Sequence, residues 1–441
     1  MDKNDHPDQC KVEIDPNLTR RNFITGILSA SALMAAGFSG CRGKSGDTDK
    51  KEYKNNEDKE SKEPKESFES WSSKIELPSI SIDMDSQPPD QQKLKNYLIT
   101  DQVYNGELAR IYKKYEKALS NLNKPKDDGF SFWKTYLEIE EDLRQAARNT
   151  YSDYRRDRYE HEISRLFVPH GFYVEVIKDH TRKFHAPILL ALNVSKIKRV
   201  RKFNIRSKNK THSIPLLETE HDEEKSSSVD GFVGNTTAIY QSAGNYIVIN
   251  IEDFNLAKKY FYKLYCDHLN QQNQKPCPDK EKFFSDLRES VLQHEGMHAF
   301  FGLEKINQKD LIPYKLTEPI PMGHYDLDLS KTTITLLRMN ELSAEGHGLM
   351  KSGSAANFDA MNILMNPDKR SYGLAQYVLF QEIRNCQKLP QSLKDMMNSG
   401  ADEDVLWKVV LKLGSDDLQK IGERMAKLGI YLSGLSEKKS V

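Results

Sequence analysis

Residues 294 to 298 read His294-Glu295-Gly296-Met297-His298, an HExxH pentapeptide, and downstream comes Asn340-Glu341-Leu342-Ser343-Ala344-Glu345. On a helix, side chains four residues apart project from one face, a turn apart, so His294 and His298 can hold one cation. Glu295 lies about 100 degrees around the helix from His294, placed to reach a water on that cation without ligating it. Two neutral imidazoles, a carboxylate from the second segment and a free base are the parts of metal-dependent hydrolysis.

In this arrangement Glu341 supplies the third ligand. Glu345, one turn on, accepts the second N–H of a ligating histidine and raises its basicity. His347 is the competing third ligand; it follows Glu341 by six positions and faces away from it on a regular helix. The chain here resembles the gluzincin metallopeptidases, whose signature is HExxH on one helix and a glutamate ligand on the next, often within NExxSD. Asn340 and Glu341 match that pattern. Glu345 stands where the family often has aspartate, and Ser343-Ala344 replaces a residue followed by serine. The resemblance covers about residues 230 to 350. It implies zinc, or another divalent metal, on His294, His298 and Glu341, and a zincin-like catalytic domain. It also implies a histidine or tyrosine donor to the oxyanion, for which His324 and Tyr325, between the two segments, are the candidates.

Asp279, just before Lys280, is the expected N-cap of the first motif helix. Phe284, Leu287, Val291, His294 and His298 then fall at steps of three and four, so the histidines extend an apolar face. Gly302 is the expected stop, and Gly296 leaves room for a neighbour. The second helix is expected from about Ser330 to Lys351, with Ile334, Leu337, Glu341 and Glu345 on one face. Before these, Phe232 to Tyr240 and Tyr246 to Ile251 flank Gln241-Ser242-Ala243-Gly244-Asn245, a hairpin signal, and as in zincins its strand is expected to hold an extended substrate. Extended structure is also expected at Gly171 to Ile177, Ala186 to Val194 and Lys196 to Arg206. Ser207 to Ser228 reads as polar loop, with Glu218 to Lys225 a charged part able to mask the cleft. Helical periodicity runs from Leu94 to Leu122, from about Ser131 to Glu162, and from Phe254 almost to the end. The Tyr and Arg cluster at Tyr151 to Tyr159 reads as a helix face. The expected class is α+β, mostly helical, with a small mixed or antiparallel sheet beside the HExxH helix.

The chain has 441 residues, and 65 Lys and Arg balance 65 Asp and Glu, so nothing global favours nucleic acid. Thr19-Arg20-Arg21-Asn22-Phe23-Ile24 resembles the twin-arginine export motif, and an apolar, small-residue run leads to Phe38-Ser39-Gly40-Cys41, which looks like a lipobox with Cys41 as the lipidated residue. From residue 42 to about 90 the charged, apolar-poor sequence reads as a disordered tether. The expected organisation is a signal peptide at 1–41, a tether at 42–90 and one catalytic domain at 91–441. That domain has a helical part (91–165), a sheet part (166–252) and a helical active-site part (254–441). Cys266 and Cys277 bracket a polar loop and are either bridged, as an exported protein permits, or free; Cys386 reads as a buried thiol.

The expected function is a membrane-tethered metallopeptidase acting on peptides or proteins, with Glu295 as general base toward a metal-bound water. The alternative is a metal-binding or scaffold lipoprotein of the cell envelope without turnover, and hydrolysis of a non-peptide amide would use the same residues.

Overall fold

Ile80, Ile82 and Met84 alternate with serine and aspartate, and that period of two makes a strand from sequence assigned to the tether. The computed structural model describes residues 72–87, 107–122, 129–148, 158–179, 188–207, 210–222, 225–228, 238–241, 245–271, 276–306, 308–312, 320–322, 325–327, 334–366 and 368–435. The tether boundary at residue 90 is therefore corrected: β1 (Ser79–Gln87) belongs to the folded domain, with Ile75 and Ile80 in its core. The export motif, Cys41 and Leu94 to Tyr104 lie outside the described residues.

Three helices follow, α1 (Glu107–Asn121), α2 (Gly129–Arg148) and α3 (Arg158–Phe167). The stretch expected at Ser131 to Glu162 is helical at 131–148 and 158–162, and residues 149–157 lie outside the described residues. The side chains of the Tyr151 to Tyr159 cluster lie outside the described set. Ile111, Leu119, Phe132, Tyr136, Ile163 and Phe167 of these helices form a core of their own with Phe172, Val174 and Val194.

The sheet is built on one long strand. β2 (Phe172–Asp179) pairs antiparallel with the first half of β3 (Ile188–Ser207), and the second half pairs with β1 on one side and β4 (Lys210–His221) on the other. Two-residue β5 (Ser227–Ser228) also joins β3. β6 (Ala238–Gln241) and β7 (Tyr246–Asn250) form the expected hairpin, and β7 runs parallel to β4. The path β1-β3-β4-β7-β6, within a seven-stranded sheet, is mixed and leaves β6 at its edge.

β4 replaces the polar loop expected at Ser207 to Ser228, and Glu218 is no mask on a cleft. Its carboxylate is buried in the sheet against the Arg201 and Arg288 guanidinium groups, at 3.0 Å and 2.8 Å. A charged residue paired twice survives in a central strand, which composition reads as loop. Pro215 misleads in the same way: proline is rare in central strands, but β7 pairs with β4 only from Leu216 onward. Ile214, Leu216, Ile247 and Ile249 enter the main core, while Leu217, Tyr246 and Val248 fill a smaller cluster on the other face.

Helices dominate the rest: α4 (Ile251–Gln271), α5 (Lys280–Glu304), and, after the short hairpin β8 (Ile320–Met322) and β9 (Tyr325–Leu327), α6 (Leu336–Lys351), α7 (Ala356–Met365), α8 (Lys369–Asn385), α9 (Gln391–Gly400), α10 (Glu403–Lys412) and α11 (Ser415–Leu432). The class is α+β with a small mixed sheet, as expected. Among the described residues no helix is long and apolar enough to cross a membrane. Cys266 at the end of α4 and Cys277 before α5 form a disulfide, their Cα atoms 5.4 Å apart; Cys386 is a half-buried free thiol.

Candidate metal centre

The helix that carries the first motif starts where its sequence says. Asp279 is the N-cap of α5, its side chain accepting the Lys282 N–H at 2.8 Å. Phe284 and Leu287 are buried on the face that leads to the histidines. α5 runs past Gly302, the expected stop, to Glu304, and Lys305 caps it in the left-handed conformation. Gly302 serves instead as a contact, because a Cβ there would lie 2.7 Å from the Tyr240 hydroxyl.

Gly296 explains how the helix sits so close to the sheet. A Cβ at this position would fall 2.8 Å from Ile80 Cδ1 of β1 and 2.8 Å from the Phe203 ring of β3. The neighbouring Gln293 is buried and donates to the Ile80 carbonyl at 3.1 Å. β1 thus holds α5 beside the turn that carries the two histidines.

The second motif lies on α6, which begins at Leu336 rather than near Ser330, with Thr335 as N-cap accepting from Arg338 N–H. α6 packs against both α5 and α11. Contact with α11 is close enough to require glycine: a Cβ on Gly346 would meet the backbone of Gly422 and Ala426. That crossing pins Glu341 and Glu345 against α5.

Three donor atoms converge. His294 Nε2 and His298 Nε2 are 2.9 Å apart, and Glu341 Oε2 lies 3.9 Å from the first and 3.6 Å from the second. Ligands bonded at the usual zinc distances and tetrahedral angles stand about 3.4 Å apart, so the triangle has the dimensions of one face of such a site. Among the described residues these three form the one group of histidine, cysteine and carboxylate side chains with that convergence. The Glu341 carboxylate is 1% exposed, and its Oε2 has no hydrogen-bond partner. A buried carboxylate oxygen without a donor is costly, and a cation in the triangle removes the cost. The donor set therefore fits a divalent metal. Both imidazoles keep about 15% exposure, 16% and 15%, so the triangle is open on the histidine side.

Glu345 Oε2 lies 3.7 Å from His294 Nδ1; Asn340 favours the charged form of His298 and Tyr372 that of Glu341. Burial opposes the charged form of His294, but Glu345, by charge and hydrogen bond, with Glu295 and Glu341, raises its pKa to about 10. Burial and the His294 charge push His298 down to about 4. Burial raises Glu341 to about 8, against the lowering pull of His294. Without a metal the cluster keeps protons in its place.

Glu295 is buried beside the triangle and absent from it. Its Oε2 accepts the Tyr240 backbone N–H at 2.7 Å. Tyr240 lies on β6, the strand at the end of the sheet path, and gives its N–H to this carboxylate. The carboxylate is thereby fixed at the junction of motif helix and sheet edge.

His347 is not brought to the triangle. It is buried further along α6 with both ring nitrogens unpartnered, and burial holds its pKa down, at about 3. His324 lies outside the described residues, and Tyr325 is described in β9 by its backbone alone. Two residues with no sequence signal join the cluster. Tyr372 comes from the first turn of α8, and Asp359 from α7. Burial raises Asp359 to about 7, against the lowering pull of Ser290, one turn before His294. No motif marks either, since only the packing of α7 and α8 brings them there.

Compared with known proteins, the chain matches no protein family, no curated protein and no solved structure.

Proposed function

We propose that this protein is a metal-dependent peptidase of the gluzincin type, with a zincin-like catalytic domain. On this reading it is exported by the twin-arginine route and held to the cell-envelope membrane by lipid on Cys41. The convergence of His294, His298 and Glu341, with Glu295 held beside them and outside the ligand set, is the observation that carries the proposal. A structural site closes all four positions with protein ligands and has no use for a base. Three ligands with a partly open histidine side, and a fixed carboxylate next to them, favour turnover.

When bound there, a divalent cation, zinc in the first instance, polarises a carbonyl and acidifies a water. The chain's own residues do the rest. Glu295 takes the proton of the water that attacks the peptide carbonyl and delivers it to the leaving amine. Its bond from Tyr240 N–H aims the carboxylate and limits its rotation. Glu345, beside His294 Nδ1, keeps that ring in the tautomer that presents Nε2. The open edge of β6 supplies unpaired backbone groups beside the base, which suits an extended peptide added as a further strand. Balanced charge gives no support to a nucleic-acid partner.

Cleavage of a peptide library by the full-length protein and by Glu295→Gln tests the reading. The parent is expected to cleave, while the variant keeps its metal and loses about 10²-fold or more in rate, the scale of a lost general base. Metal in both with cleavage in neither would favour a metal-binding lipoprotein without turnover.

A further inference from the structure

We infer that Tyr173 and Gln241 are positioning residues, whose buried hydrogen bond clamps the end of β6 so that the Tyr240 N–H stays on the Glu295 carboxylate. Their role rests on the reading of Glu295 as the general base. That carboxylate takes its aim from a backbone N–H at 2.7 Å, which belongs to a strand of four residues at the end of the sheet path. A strand end opens locally unless side chains hold it. Successive side chains of a strand point to opposite faces, and β6 is held on both. On one face Tyr240 packs on Gly302, where a Cβ would lie 2.7 Å from its hydroxyl, and donates to Asn245 Oδ1 at 3.1 Å. On the other, Gln241, the last residue of β6, donates from Nε2 to the Tyr173 hydroxyl at 2.9 Å, and both residues are 5% exposed.

Tyr173 is a firm anchor. It lies on β2 opposite Ser195 of β3, with its ring in the smaller core cluster among Ile197, Leu217 and Val248. Its neighbours Phe172 and Val174 point to the other face, into the core built by α1, α2 and α3. Tyr246, opposite Gln241 in the hairpin, adds a second tie, its hydroxyl 3.2 Å from Ser164 Oγ on α3. The hairpin beside the base is thus fastened to β2 and α3, and the N-terminal helices take part in placing a group that none of them carries. Glu295 comes from α5 and its aim from β6, so a shift of one element against the other moves the carboxylate. Misplacing a reacting group by about 1 Å can cost about 10²-fold in rate.

The test uses the full-length protein, Tyr173→Phe, and the double variant Tyr173→Phe with Gln241→Met. The single variant leaves a buried amide without its partner. The double variant puts apolar groups of similar shape at both ends, which restores stability without restoring the clamp. Amide hydrogen exchange at Tyr240, kcat on a cleaved peptide, zinc affinity by chelator competition and thermal unfolding are measured. Both variants are expected to exchange the Tyr240 N–H about tenfold faster, the scale of one hydrogen bond, and to lose about 10- to 100-fold in kcat with parent-like zinc affinity. In the double variant these losses persist while the unfolding midpoint returns close to the parent's. A double variant that regains parent-like exchange and kcat together with its midpoint would make the two residues a packing feature and overturn the inference, leaving Glu295 as base. A parent that cleaves no peptide would overturn the reading of Glu295 as base, and the positioning role with it.

Discussion

Lowering the pH should weaken metal binding steeply, by an amount the site itself sets. In the metal-free protein His294 holds its proton up to about pH 10 and Glu341 up to about pH 8, whereas His298, at about 4, is already neutral. A cation requires His294 neutral and Glu341 ionised, so binding displaces two protons between about pH 5 and 8 and one between about 8 and 10. Each displaced proton makes the affinity rise tenfold per pH unit. From pH 6 to pH 8 the gain is a little under four decades, about 5 kcal/mol at 1.36 kcal/mol per decade. Above about pH 10 this source of dependence ends. Calorimetric titration of zinc in buffers of different ionisation enthalpy counts the protons directly, with about two expected at pH 6.5 and about one at pH 9. Glu345→Gln removes the leading partner that raises His294, so the count at pH 9 should fall toward zero. Affinity independent of pH, or no proton release at pH 6.5, would refute the reasoning and mean that the carboxylates do not protonate His294.

Other expectations follow from the same geometry. Both His294 and Glu341 bind protons more tightly folded than unfolded, so their contribution to metal-free stability is complete below the unfolded values and is lost as pH rises through about 8 and then about 10. Metal-free melting temperatures should therefore be lower at pH 9.5 than at pH 6, and a higher value at pH 9.5 would count against it. Gly346→Ala should destabilise by up to about 2 kcal/mol, because overpacking against the α11 backbone costs about 1–3 kcal/mol against a gain of roughly 1 kcal/mol in helix propensity. Denaturant melts measure this, and a more stable variant would show that α6 and α11 separate freely. Replacing Cys266 and Cys277 by serine opens a loop of sequence separation 11 and should cost about 3 kcal/mol, read from the same melts with zinc absent.

The convergence of the histidines and Glu341 is legible in the sequence because a helix converts spacing into position. His294, His298 and the cap at Asp279 sit where their intervals put them, and Glu341 meets them as the downstream motif implied. The β6–β7 hairpin was equally readable, since alternating apolar residues around a turn need little context. Readings failed where tertiary pairing overrode local composition. Glu218 looks like surface charge until Arg201 and Arg288 are brought to it from β3 and α5, so local composition points to a loop where β4 forms. β1 was hidden in a charged stretch because its few isoleucines gain meaning only against β3 and Gly296. Tyr372 and Asp359 carry no local mark, since only helix packing brings them near the cluster.

The central claim, that three residues from two helices hold one metal, is tested most directly by metal content. Full-length protein equilibrated with zinc and freed of excess by gel filtration is expected to carry one zinc per chain by elemental analysis. Glu341→Ala and His294→Ala should lose it, and His347→Ala should keep it. Zinc that stays in Glu341→Ala but leaves with His347→Ala would contradict the donor triangle, and a parent without zinc would contradict the site as a whole.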